Sequence, residues 1–240
     1  PPATADGSAI PANAEMQFHF WDVAEARDAI IKADLSGVRP PLLRIAEGTY
    51  GDDMPVDWRQ WIEEMQEEAR RGASVQTLEE AAVAVAELSG TCAECHRATR
   101  AGPTLADDAP GYHPSGEGLP ERMQRHMYAA EALWVGLTAP QHQSWSRGAR
   151  ALSALPLPEQ PGEPGQQTGA APAEDTAAEQ QPSQPPAVSA SPFAARLDAI
   201  RALGTRADEA GQPSEKIAVY GEILTQCAGC HAQVGGPGGG

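Results

Sequence analysis

Residues 78–96 read LEEAAVAVAELSGTCAECH. From Leu78 the apolar side chains return at Ala82, Val85 and Leu88, the three- and four-residue steps of one helix face, and lead into Cys92-Ala93-Glu94-Cys95-His96. Ser74-Val75-Gln76-Thr77, just ahead, supplies a candidate cap and a helix start near Ser74. The pattern recurs near the end of the chain, where a helical segment from Ser214 to His231 delivers Cys227-Ala228-Gly229-Cys230-His231. All 4 cysteines of the 240 residues sit in these two strings, so none is left for a separate disulfide.

Three further helical segments precede the first string. They run from Ala14 to about Leu35, from Gly37 to Glu47, and from Asp57 to Arg71, where Trp58, Trp61, Ile62, Met65 and Ala69 form a stripe and Gly72 ends the helix. A second series follows, from Leu119 to Leu137, Gln141 to Leu155, Phe193 to Ala210 and Ser214 to His231. Met16-Gln17-Phe18-His19 opens the first series and Met123-Gln124-Arg125-His126 the second, which fixes the register of an internal repeat. The expected fold is all-α: two tandem four-helix bundles, each closing on a Cys-x-x-Cys-His string. The expected layout is a flexible leader at 1–13, a first bundle at 14–101, a Gly/Pro-rich linker at 102–118, a second bundle at 119–235 and a flexible tail at 236–240. Residues 156–192 are rich in Pro, Gln, Ala and Glu and hold no Lys, Arg or aromatic side chain, so they read as a disordered insert within the second bundle.

Two thiols spaced to meet two vinyl groups, followed at once by an imidazole, are what covalent haem attachment requires. Cys92, Cys95 and His96 would hold one haem c, and Cys227, Cys230 and His231 a second, with His96 and His231 as iron ligands. A zinc site would call for further thiolates, and the chain has none. In an up-down bundle the start of the first helix lies beside the end of the fourth. That brings His19 and His126 forward as sixth ligands, with Met16 and Met123 as alternatives and an open distal position as a third case. His113 and His142 have no counterpart in the other copy, and His113, in the Gly-Tyr-His-Pro turn, reads as an exposed loop histidine. Trp58 and Trp61 read as core or cofactor wall, and Asp52-Asp53 as a turn.

Four-helix packing with Cys-x-x-Cys-His late in the last helix, and Met16, His19, Met123 and His126 in the first helices, resembles the class II c-type cytochromes, the cytochrome c-prime group. The resemblance covers about residues 14–100 and 119–235. It implies a periplasmic haem bundle, either a low-spin electron carrier with a methionine from the first helix or a high-spin form with a blocked distal side. Two fused copies and a histidine near the distal position depart from that pattern, and favour electron transfer over gas binding.

The formal net charge of -16 argues against nucleic acid and anionic membrane surfaces as partners, and for redox proteins with basic docking surfaces. No stretch is long and apolar enough to span a bilayer, although association with a membrane complex stays open. The opening Pro1-Pro2-Ala3-Thr4 lacks the basic and apolar regions of a signal peptide, so the reading is a mature, periplasmic or otherwise extracytoplasmic chain whose export signal or lipid anchor has been removed. The expected function is a dihaem electron carrier, or the cytochrome subunit of a larger redox complex, rather than a stand-alone enzyme. A dihaem peroxidase or gas-binding sensor with an open haem face is the alternative, and a module whose haems mainly staple small bundles is a third case.

Overall fold

A computed structural model describes residues 12–49, 54–102, 119–156 and 192–233. The expected leader and tail, and nearly all of the expected linker and of the 156–192 insert, lie outside the described residues, as do Asp52, Asp53 and His113.

Eight α-helices account for the described chain: α1 (Ala12–Ile31), α2 (Leu35–Ala46), α3 (Arg59–Gly72), α4 (Leu78–Thr99), α5 (Leu119–Thr138), α6 (His142–Ser153), α7 (Pro192–Glu209) and α8 (Pro213–Gln233). A 3-10 turn at Val56–Trp58 leads into α3. Local chemistry sets the ends. Ala33 takes a left-handed φ of 59°, and the Asp34 amide reaches back to the Ala29 carbonyl, which stops α1 short of the expected Leu35. Asp34 then caps α2 by accepting from the Gly37 amide at 3.0 Å. Pro40 and Pro41 lie inside α2, where each removes an amide donor; burial of Val38, Leu42 and Ile45 on the same helix outweighs that loss.

The fourth helix starts at Leu78, later than the Ser74 expected from sequence, because Thr77 is the cap. Its side chain accepts from the Glu80 amide while the Glu80 carboxylate accepts from the Thr77 amide, a reciprocal capping box. The last helix uses half of the same device: Glu215 accepts from the amides of Gly211 and Gln212 at 2.9 and 2.8 Å.

The helices form two sets of four. Within the first, α1 packs on α2 and α4, and α3 on α2 and α4; α5 to α8 repeat this closed ring. Burial follows the repeat. Val38, Pro41, Leu42 and Ile45 on α2 match Trp145, Gly148, Ala149 and Leu152 on α6, and all are buried. Ile62, Met65, Ala69 and Gly72 on α3 match Leu197, Ile200, Gly204 and Ala207 on α7, again all buried. The ion pair Arg71–Glu87 between α3 and α4 is repeated by Arg206–Glu222 between α7 and α8. Equivalents stand 107 residues apart through the first two helices (Ile45 to Leu152) and 135 through the last two (Cys92 to Cys227). The longer spacing therefore enters between α6 and α7, where the composition places the insert.

The two sets also share one hydrophobic core. Helix α4 packs along α8, α1 touches α8, and α4 touches α5, so the contact between the sets is built from their first and last helices. Equivalent residues meet there. A Cβ at Gly221 would stand 3.5 Å from that of Ala86, its counterpart. The Arg27 guanidinium lies 4.4 Å from the ring centroid of Trp134, its own counterpart. Such self-pairing is the mark of a pseudo-two-fold axis between the repeats.

Candidate functional site

Helical geometry gathers the first string. Cys92, Cys95 and His96 are separated by three and four residues, so they share one face of α4. That face borders a cavity of about 550 Å³, within the ~300–1,000 Å³ range of cofactor and small-molecule sites. Helix α1 contributes Met16, His19 and Phe20, and the α3 side contributes Trp58, Trp61 and Met65. The juxtaposition expected from sequence, the start of the first helix against the end of the fourth, is what the fold produces here.

His96 is held by the other repeat. Its Nδ1 lies 2.8 Å from the backbone carbonyl of Thr138, at the end of α5. A carbonyl can only accept, so Nδ1 carries the proton and Nε2 keeps its lone pair. Metal-binding histidines are commonly oriented by this type of outer hydrogen bond. Burial holds His96 below the usual histidine range against the opposing pull of that carbonyl, and pushes His19 down to about 4. Both imidazoles are therefore neutral at pH 7, the form that ligates metals.

The thiols point away from exchange chemistry. Cys92 is pushed up to about 12 by burial and by the neighbouring Cys95, and burial raises Cys95 as well. Dithiol enzymes depress a thiol to make a thiolate; this environment does the reverse. Among the described residues no group of three or more His, Cys, Asp or Glu side chains converges to hold a metal ion by itself.

At the second string, Cys227, Cys230 and His231 share a face of α8, and burial with the nearby Cys230 pushes Cys227 up to about 12. His126 on α5 is pushed down to about 4 by burial and then by His231, so the two rings lie within electrostatic reach of each other. Met123 is half-buried one turn earlier on α5. His142 opens α6 in an exposed position and is not among the residues that line the first cavity.

Sequence reading missed the residues that cross between repeats. Trp134 and Thr138 wall the first cavity from α5, and Trp21 joins them from α1, so 4 of the 5 tryptophans of the chain line this one site. The only trace in the sequence was the aromatic count of the first repeat near Trp58 and Trp61; the role of Trp134 depends on how the two sets dock. Trp145, the fifth, is buried in α6 and donates from Nε1 to the Ala207 carbonyl at 2.7 Å, a packing role.

Among the described residues no helix is long and apolar enough to cross a membrane. Comparison of the chain with protein-family models, curated protein sequences and solved structures gave no match, so the site is interpreted from its own residues and geometry.

Proposed function

We propose that this chain is a dihaem c-type cytochrome that passes electrons between redox proteins outside the cytoplasm. One observation carries the reading: two thiols and a neutral imidazole, its Nδ1 proton anchored on the Thr138 carbonyl and its Nε2 lone pair available, face a largely apolar cavity with a second histidine in its wall. These residues fit a covalently attached haem. Cys92 and Cys95 would form the thioether links, His96 the proximal ligand, and the indoles and Met65 the walls that keep water away. Cys227, Cys230 and His231 would do the same in the second repeat. His19 and His126 are the proposed sixth ligands, supported by their burial in neutral form beside His96 and His231; Met16 and Met123 are the alternatives on the same helices. When bound, haem iron supplies a one-electron couple. The class II cytochromes combine a four-helix set with this motif in the fourth helix, the arrangement of each set here. The acidic surface favours basic redox partners.

The test is to produce the chain with periplasmic haem attachment and read its mass and optical spectra. Two covalent haems are expected, falling to one in a Cys92→Ser/Cys95→Ser variant. Both reduced haems are expected to be low-spin and unmoved by carbon monoxide, with His19→Ala converting the first to a gas-binding, high-spin form. A chain that matures without covalent haem would refute the reading. Rapid carbon monoxide binding by the unmodified protein would favour the gas-binding alternative.

A further inference from the structure

Around the two cysteine–histidine sites, equivalent positions carry opposite chemistry. Trp61 on α3 lines the first cavity, and its equivalent on α7 is Arg196. The Arg196 guanidinium lies over α8 at the second string: a Cβ added at Gly229 would come within 2.4 Å of its Nη1. The same guanidinium is within electrostatic reach of the Cys230 thiol. Trp134 crosses from the second repeat to wall the first cavity, and its equivalent is Arg27. Those two meet at the junction of the repeats: the Arg27 guanidinium lies 4.4 Å from the Trp134 ring centroid, so Arg27 stands between the two sites. The first site thus has the Trp61 indole where the second has the Arg196 guanidinium.

Building on the haem reading above, we propose that this exchange makes the two sites unequal, the His231 site having the higher reduction potential, so that electrons entering at the His96 site move to the His231 site. One electron is transferred; ferrous iron at the first site is oxidised and ferric iron at the second is reduced, with no proton or leaving group. A positive charge in a poorly polarisable interior stabilises the reduced state beside it. Arg196 is half-buried, whereas Arg97 beside the first string is exposed. Solvent screens Arg97 more than it screens Arg196.

The experiment is an optical redox titration of the holoprotein. The two potentials are assigned with the Cys92→Ser/Cys95→Ser variant, which keeps only the second haem. The second site is expected to lie higher. Arg196→Gln is expected to lower it by about tenfold in the one-electron equilibrium, roughly 59 mV, with the first site unmoved. Arg196→Lys, which keeps the charge, should restore it. Equal potentials, a lower second site, or an Arg196→Gln shift no larger there than at the first site would overturn the inference while leaving the haem reading intact. Absence of covalent haem would overturn both.

Discussion

Single positions differ sharply in how much change they can absorb. Gly136 on α5 lies where α6 crosses closest: a Cβ there would come within 2.3 Å of the Trp145 backbone nitrogen, an atom that cannot turn aside. Gly136→Ala is expected to destabilise the protein by about 1–3 kcal/mol, the usual cost of overpacking, measured by urea denaturation. Gly211 serves as the control, because a Cβ there would meet nothing within 4 Å; Gly211→Ala should be near neutral. His96 illustrates the other side of residue-scale control. Its identity was plain in the sequence, but its ring orientation depends on a carbonyl from the second repeat. Main-chain atoms carry no side-chain signature, so Thr138 could not be singled out beforehand.

Helices here begin and end by local rules, and their starts are open to direct test. Thr77→Ala removes one arm of the capping box of α4 and is expected to cost about 1 kcal/mol, read from the denaturation midpoint. The other arm is sensitive to pH. Amide donors from Gln76 and Thr77 hold the Glu80 carboxyl below its ordinary value, so its folded pKa is below its unfolded one. Its contribution is full above the unfolded value, about 4.3, and is lost as pH falls through the folded value. Glu80→Gln should therefore weaken the protein at pH 7, and by less at pH 3, as measured by thermal melts at both values. The apolar stripes placed all eight helices in the sequence, while their ends, four residues off the expectation at the close of α1 and at the start of α4, followed from the left-handed turn at Ala33 and from the Thr77 cap.

At the scale of the molecule, the two repeats behave as one body because their cores are continuous through α4 and α8. A single calorimetric transition is expected, with equal calorimetric and van't Hoff enthalpies, rather than one transition per repeat. Gly90→Leu should divide it, since even a Cβ at Gly90 would come within 2.3 Å of Ile217 across the contact. Buried Arg27 reinforces the same junction. It pairs with Asp28 of its own repeat at 2.8 Å and Glu131 of the other at 2.7 Å, while lying over Trp134.

The helical class, the repeat, the six cysteine and histidine positions of the two strings and the first-helix histidines beside them were all legible in the linear chain. Each of these follows from periodicity or from spacing along a single helix, which are local properties. Packing in three dimensions was needed to show that Trp134 and Thr138 complete the first site and that Arg196 stands at the second string where the first site has Trp61. Those pairings cross between helices or compare one repeat with the other. They are fixed by how the sets pack about the pseudo-two-fold axis, where small residues such as Ala86 and Gly221 let α4 and α8 approach. What began as two copies of one motif became two sites with different walls.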